Sequence, residues 1–280
     1  MITLTSAEMN AWIATLIWPL CRILGLIATV PVFGHAAVPI TSKIGLGVML
    51  TLIIAPTLGP LPAVEPMSPV GILILTQETL IGLALGFSMR LVFAAVELAG
   101  EISSLTMGLG FASFYDPSSQ GRSSAVSQFF ALLATLAFVA VNGHLLVISA
   151  LAESFVSMPI SATPINAGGF LQLAHWGNTV FSAGVQLSLP IVAALLLTNL
   201  ALGILTRAAP SLNLFGIGFP ITLAIGFVVI SVSLPYLATP WQNLFQRGIE
   251  NTRSLGRTWN TRAAPVPAPP VARPAAAPSP

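Results

Sequence analysis

The sequence predicts an all-α membrane protein, and three observations lead to this prediction. Hydrophobic residues make up 55% of the chain and charged residues only 6%, whereas soluble domains carry about 25% charged residues. The apolar residues form long blocks, and blocks of roughly 18 residues indicate membrane-spanning helices. Alternating strand patterns are absent, and a helix satisfies its own backbone groups in lipid. The net charge of +2 is too small to indicate binding of nucleic acid.

Six apolar segments follow one another, separated by clusters of Pro and Gly. They cover residues 12–30, 44–58, 70–105, 125–151, 176–205 and 214–237. Lys43, Arg122 and Arg207 follow the first, third and fifth segments, which places these three loops on the cytoplasmic side. The C-terminal region is placed on that side too, by Arg247, Arg253, Arg257 and Arg262. Six simple crossings do not allow this, so the sequence predicts a topology that is not a simple serpentine.

The third segment carries small and charged residues along one side of its predicted helix. A single helix over residues 70–105 is about 54 Å long, which exceeds the roughly 30 Å of a hydrocarbon core. Small residues four apart allow close helix contact, and charges in membrane helices face protein or water. This stripe is therefore a subunit interface, a conduit lining or an ion-pair seam within the chain. Its members are Glu78, Gly82, Gly86, Arg90, Glu97, Glu101 and Ser104.

Arg22 is a charged residue inside the first apolar segment. Its side chain either extends to a membrane interface or pairs with an acid of the long third helix. Residues 1–11 contain Glu8 but no Lys or Arg, so we expect no secretory signal peptide to be removed there.

Signatures of enzymes and of bound cofactors are missing from the sequence. His35, His144 and His175 lie far apart without the spacing of metal ligands. Cys21 is the one cysteine, so no disulfide forms within the chain. Neither a nucleophile elbow nor a phosphate-binding Gly-rich loop occurs. We therefore expect no enzyme activity, no metal and no cofactor.

The loop over residues 107–122 combines glycines with aromatic residues between two apolar segments. Glycine allows backbone conformations closed to other residues, and Asp followed by Pro favours a turn. Such a loop can act as a movable plug, or it can be an interfacial loop with aromatics at headgroup level. The residues concerned are Gly108, Gly110, Phe111, Phe114, Tyr115, Asp116 and Pro117.

The connection between the fifth and sixth segments predicts the turn of a helical hairpin. Pro and Asn favour the turn and the start of the next helix, and later Gly and Pro residues loosen that helix. The residues concerned are Arg207, Pro210, Asn213, Gly218, Phe219 and Pro220. Residues 263–280 are almost all Pro and Ala, a composition that we expect to be disordered.

Taken in order, these elements resemble the FliR family of flagellar biosynthetic proteins, which is related to the T-type export subunits of injectisomes. The resemblance covers about residues 10–240, and the Gly-Phe-Ala-Ser-Phe-Tyr-Asp-Pro stretch favours the flagellar branch. The matching elements are Arg22, residues 31–34 with Pro39 and Lys43, Gln77-Glu78 with Gly82 and Gly86, residues 108–117 and residues 210–220.

The resemblance implies a core subunit of a type III export gate in the bacterial inner membrane, within the flagellar basal body. Helical hairpins of this chain would pack with FliP-type and FliQ-type subunits into a helical assembly, next to FlhB-type and FlhA-type proteins. Unfolded flagellar proteins would pass through its pore, and residues 107–122 would plug that pore at rest. Buried in its neighbours, such a chain need not cross the lipid six times.

The resemblance also implies a division of the chain. Residues 1–240 would form the FliR-type export-gate domain, with a FliP-like part at 1–170 and a FliQ-like hairpin at 171–240. A basic segment at 241–262 and the Pro/Ala-rich tail at 263–280 would follow. A competing interpretation is a small-solute or ion transporter, because broken helices and intramembrane charges suit such proteins. Transporters of this kind usually contain an internal repeat, and no convincing repeat is visible.

Overall fold

The computed structural model describes residues 6–59, 61–62, 64–111, 123–209 and 214–260. Within these ranges every long regular element is an α-helix, and no strand is present. The helices are α1 Ser6–Thr29, α2 Pro31–Gly34, α3 Ile40–Ile54, α4 Pro69–Thr106, α5 Ala125–Ala140, α6 Gly143–Ser157, α7 Gly168–Trp176, α8 Asn178–Ala208 and α9 Leu214–Asn260.

Four helical stretches of the described chain are long and apolar enough to cross a membrane. They are Ile40–Thr57, Pro69–Thr106, Gly168–Ala208 and Gly218–Trp259, and the bent pair α5–α6 would make a fifth. The prediction of a helical membrane protein is therefore confirmed. The count of six is approximate, because the apolar part of α1, Thr15–Thr29, is shorter than a span.

Helix α4 is the centre of the fold. Ser68 caps its first turn, accepting a hydrogen bond from the Gly71 N–H at 3.1 Å, and Pro69 suits the first helical position. The helix continues unbroken for 38 residues, about 57 Å. It contacts α1, α5, α7, α8 and α9, so α4 supplies the surface on which the other long helices are arranged.

The fourth predicted segment, residues 125–151, is not one helix. It is divided into α5 and α6, which meet at an angle of 69°. Asn142 adopts the left-handed conformation with φ 57°, which breaks the helical path. A side chain at Gly143 would collide with the ring of Phe138. The bend therefore depends on a residue that tolerates positive φ followed by one without a side chain.

Helix α9 extends well past the sixth predicted segment, which ends at residue 237. Its continuation to Asn260 is amphipathic, and most of its buried apolar side chains lie three or four residues from the next one. A search for continuous apolar segments does not detect such a helix, because polar residues separate the apolar ones. The buried residues are Trp241, Leu244, Phe245, Ile249, Leu255 and Trp259.

Candidate functional site

Arg22 and Glu78 form a buried ion pair between α1 and α4. Nε of Arg22 donates to Oε2 of Glu78 at 2.6 Å, and Nη2 donates to Oε1 at 2.9 Å. The Arg22 side chain is completely buried, and that of Glu78 is 3% exposed. Of the two alternatives for Arg22, the structure therefore shows pairing with an acid of the long helix. Two parallel hydrogen bonds between a guanidinium and a carboxylate also fix the relative orientation of the helices.

The same guanidinium also binds the C-terminal end of α6. Nη1 donates to the backbone oxygen of Ser154 at 3.0 Å and Nη2 to that of Met158 at 2.9 Å. The ring of Phe155 lies against the guanidinium, 4.3 Å from its central carbon. A cation at a helix C-terminus satisfies carbonyls that lack helical partners. Arg22 thus joins three helices, and its contact with α6 was not predictable from the sequence.

Gly82 and Gly86 lie where α1 crosses α4. A side chain at Gly82 would collide with the backbone oxygen of Arg22, and one at Gly86 with Thr29. On the opposite helix, a side chain at Gly25 would lie 2.9 Å from the backbone oxygen of Thr79. Glycine is therefore required on both helices for this close approach. The crossing brings Arg22 within reach of Glu78, one helical turn before Gly82.

Gln77, next to Glu78, fastens the loop that follows α6. Its Oε1 accepts a hydrogen bond from the N–H of Ile165 at 2.9 Å, and its Nε2 donates to the backbone oxygen of Ser161 at 3.3 Å. Two adjacent polar residues of α4 therefore hold two different parts of the chain.

The second half of the predicted stripe has a different environment. Arg90 is exposed and Glu97 is half-buried, and both line an open cleft of about 1100 Å³. The cleft is bordered by the end of α1, by α2 and by α5. The stripe is thus an intrachain seam at Glu78, Gly82 and Gly86 and an open surface at Arg90 and Glu97.

Two residues that bracket most of the predicted plug loop are attached to the helical core: Met107 at its start, and Ser124 two residues after its end. Met107 is completely buried, and its backbone oxygen accepts a hydrogen bond from the Thr222 hydroxyl of α9 at 3.4 Å. Gly108 follows with φ 89°, a left-handed conformation that terminates α4. At the other end, Oε2 of Glu101 accepts a hydrogen bond from the N–H of Ser124 at 3.1 Å.

Several predicted residues cannot be placed. Gly110 is half-buried beside Leu105, whereas Phe114, Tyr115, Asp116 and Pro117 lie outside the described residues, as does the side chain of Phe111. Of the predicted hairpin turn, Pro210 and Asn213 also lie outside them. Arg207 is exposed at the end of α8, while Gly218, Phe219 and Pro220 belong to the first turns of α9.

The described residues contain no group of three or more His, Cys, Asp or Glu side chains that could hold a metal ion. His35 is exposed, and its Nδ1 accepts a hydrogen bond from the nearby N–H of Ala37 at 3.1 Å.

A polar network that the sequence did not reveal fastens the C-terminal half of α9 to α4 and α7. Nδ2 of Asn251 donates to the Ser88 hydroxyl at 2.9 Å, and its Oδ1 accepts from Nε2 of Gln172 at 3.0 Å. Nε2 of Gln172 also donates to the Ser254 hydroxyl at 2.6 Å, and Oε1 of Gln172 accepts a hydrogen bond from the Thr258 hydroxyl at 2.5 Å. Residues 241–260, the described part of the predicted basic segment, thus lie in a helix that packs on the core.

We expect Asn251→Ala to lower the free energy of unfolding by about 1–2 kcal/mol, because it leaves the Ser88 hydroxyl and one N–H of the Gln172 amide without a partner. The thermal midpoint of the detergent-purified chain measures this change. Gln242→Ala is the matched control, since Gln242 is exposed on the same helix. Equal midpoints for the two variants would show that the network does not stabilise α9.

Comparison with known protein sequences shows to which family the chain belongs. Residues 13–248 match the family described as bacterial export proteins, family 1. The flagellar biosynthetic protein FliR of Pectobacterium carotovorum subsp. carotovorum is 46% identical over 245 residues, covering 88% of this chain and 94% of that protein. FliR of Escherichia coli K12 is 42% identical over the same shares. FliR of Bacillus subtilis 168 is 32% identical over 84% of this chain and 91% of that protein. The family match extends from α1 into the C-terminal half of α9, and the chain therefore belongs to the FliR family of bacterial export proteins.

Proposed function

We propose that this chain is a core subunit of the flagellar type III protein export gate. With FliP-type and FliQ-type subunits it forms the channel through which unfolded flagellar proteins leave the cell. The observation that carries this proposal is the match to an export-protein family over residues 13–248, with relatives named as flagellar biosynthetic proteins. We assign the chain no enzymatic role and no cofactor.

The exposed surface of α8 supports a place inside a larger membrane assembly. Most of this helix is not covered by the rest of the chain, and its apolar side chains point outward. Leu196, Leu197, Leu200 and Ile204 are each at least 60% exposed. An apolar surface of this extent is stable only against lipid or against other subunits. FliP-type and FliQ-type subunits, with FlhB-type and FlhA-type proteins nearby, are the proposed neighbours in the inner membrane at the basal body.

We further propose that residues 107–122 plug the pore at rest. The attachments of Met107 and Ser124 support the proposal, because these two residues are held by the core while the residues between them include three glycines. A loop with held ends can move its middle without leaving its site. Its aromatic residues would seal the pore against ions, and passage of an unfolded chain would displace them.

Deleting Gly110–Asp116 is expected to produce an ion leak, because the seal is lost while both loop ends are retained. Ion conductance is measured in cells that express the chain with its FliP-type and FliQ-type partners. The matched control removes seven residues from within 263–280, which lie outside the family match.

A leak in the loop deletion and none in the control or the wild type would support the plug. Unchanged conductance in the loop deletion, with the complex still assembled, would contradict it and leave the chain a mainly structural subunit. Solute uptake by this chain alone in liposomes would contradict the export-gate proposal and favour a transporter.

A further inference from the structure

Two charged side chains of α4 have no partner among the residues that the structure describes. Neither the Arg90 guanidinium nor the Glu97 carboxylate makes an ion pair or hydrogen bond to another residue of the described structure. The nearby acids of α4 differ from them, since Glu78 binds Arg22 and Glu101 binds the Ser124 N–H. Both unpaired residues belong to a helix apolar enough to span a membrane. Charges in such helices are normally paired or face water.

Arg90 and Glu97 cannot satisfy each other. They are seven residues apart on one helix, so they lie on the same side of α4 but about 10.5 Å apart along its axis. Side chains pair along a helix at spacings of three or four residues, not seven. An incoming group must therefore meet each charge separately.

The cleft that contains both charges is large enough to receive about two turns of a helix. Its volume is about 1100 Å³, and two turns of a helix 10–12 Å wide occupy roughly 800–1200 Å³. On the α5 side its wall combines Gln128 and Thr135 with Phe129 and Leu132, which are 41% and 59% exposed. A helix seated there would cover the apolar side chains and offer hydrogen bonds to the polar ones.

We propose that this cleft receives a helix of a neighbouring export-gate subunit, which carries an acid opposite Arg90 and a base opposite Glu97, about two turns apart. This inference rests on the proposed function, because it assumes that the chain assembles with other subunits. Charge complementarity of this kind sets the register of the docked helix, since a shift by one turn places both charges opposite nothing.

The test is a set of charge reversals in the full-length chain, co-expressed with FliP-type and FliQ-type subunits. The FliP-type subunit carries the affinity tag, and the amount of this chain recovered with it in mild detergent is measured. The variants are Arg90→Glu, Glu97→Arg and the double reversal. The matched control set reverses Glu153 and Arg253, an exposed ion pair within the chain whose nitrogen and oxygen lie 3.0 Å apart.

Each single reversal in the cleft is expected to lower recovery at least about tenfold, because like charges then face each other across the interface. The double reversal is expected to remain low, since both charges still oppose those of the partner. Reversing the acid that faces Arg90 on the partner helix should restore the recovery of the Arg90→Glu variant. Reversals of Glu153 and Arg253 should change recovery little, and their double reversal should match the wild type. Unchanged thermal midpoints of the cleft variants show that the fold is retained.

If the double-reversal variant were recovered in the same amount as the wild type, the inference would be overturned, because the two charges would then act only within the chain. Full recovery of both single variants would also overturn it, while leaving the proposed function intact. A wild-type chain that is not recovered with the tagged subunit would overturn the proposed function and this inference together.

Discussion

Arg22→Leu is expected to lower the free energy of unfolding by about 3–5 kcal/mol, the largest effect of a single charge removal in this chain. The substitution leaves the Glu78 carboxylate buried without its partner. It also removes the donors to the backbone oxygens of Ser154 and Met158. Most of the loss comes from the uncompensated carboxylate, because burying a lone charge costs far more than burying a paired one.

The double variant Arg22→Leu with Glu78→Leu separates these contributions. It removes both charges, and replacing a buried pair by apolar residues is often close to neutral. We expect it to regain most of the lost stability, less the part due to the unpaired carbonyls of α6. The thermal midpoint in detergent and the amount of full-length chain in the membrane fraction are the two measurements.

Arg253→Leu is the control, because its ion pair with Glu153 is exposed and contributes at most about 1 kcal/mol. If Arg22→Leu were no more destabilising than Arg253→Leu, the buried pair would not be what holds α1 on α4. If the double variant were as unstable as Arg22→Leu, the bonds to α6 would be the larger contribution.

Gly82→Ala is expected to destabilise the chain by about 3 kcal/mol, the upper part of the usual range for overpacking. The added methyl group meets the backbone oxygen of Arg22 rather than a flexible side chain. Helix α1 must therefore shift away from α4, and this shift also strains the ion pair one turn away. The stability in detergent and the resistance of α1 to proteolysis both report the change.

Gly45→Ala is the matched control for that substitution. Gly45 lies in α3, and a side chain there would meet nothing within 4 Å. The change should stabilise the chain by up to about 1 kcal/mol, because Ala favours the helix more than Gly does. If the Gly82→Ala and Gly45→Ala variants were equally stable, α1 and α4 would be shown to tolerate a wider separation.

The sequence predicted the features that depend on composition and helical spacing. The length of α4 and the stripe on its surface follow from hydropathy and a 100° rotation per residue. The partner of Arg22 was left open because Glu78, Glu97 and Glu101 all lie on that stripe. Only the crossing angle and contact point of α1 decide among them, and these depend on packing at Gly25 and Gly82.

Contacts between distant segments were the least predictable part. The bonds from Arg22 to the end of α6 join residues more than 130 positions apart, and backbone carbonyls carry no sequence signal. The network around Asn251 was not predicted because it lies on the amphipathic end of α9, beyond the last apolar segment of the sequence. The bend at Asn142 was missed because one left-handed residue scarcely changes the hydropathy of the block.

The buried ion pair also has an electrical consequence. Arg22 and Glu78 carry opposite unit charges, and Nε of Arg22 lies 2.6 Å from Oε2 of Glu78. Together the two residues therefore contribute no net gating charge. The work that a membrane potential does is proportional to the net charge displaced, about 2.3 kcal/mol per charge at 100 mV. A joint movement of α1 and α4 therefore displaces no net charge at this pair, and the membrane potential does little work on it. Any voltage-sensitive step of this chain must displace charges outside the pair.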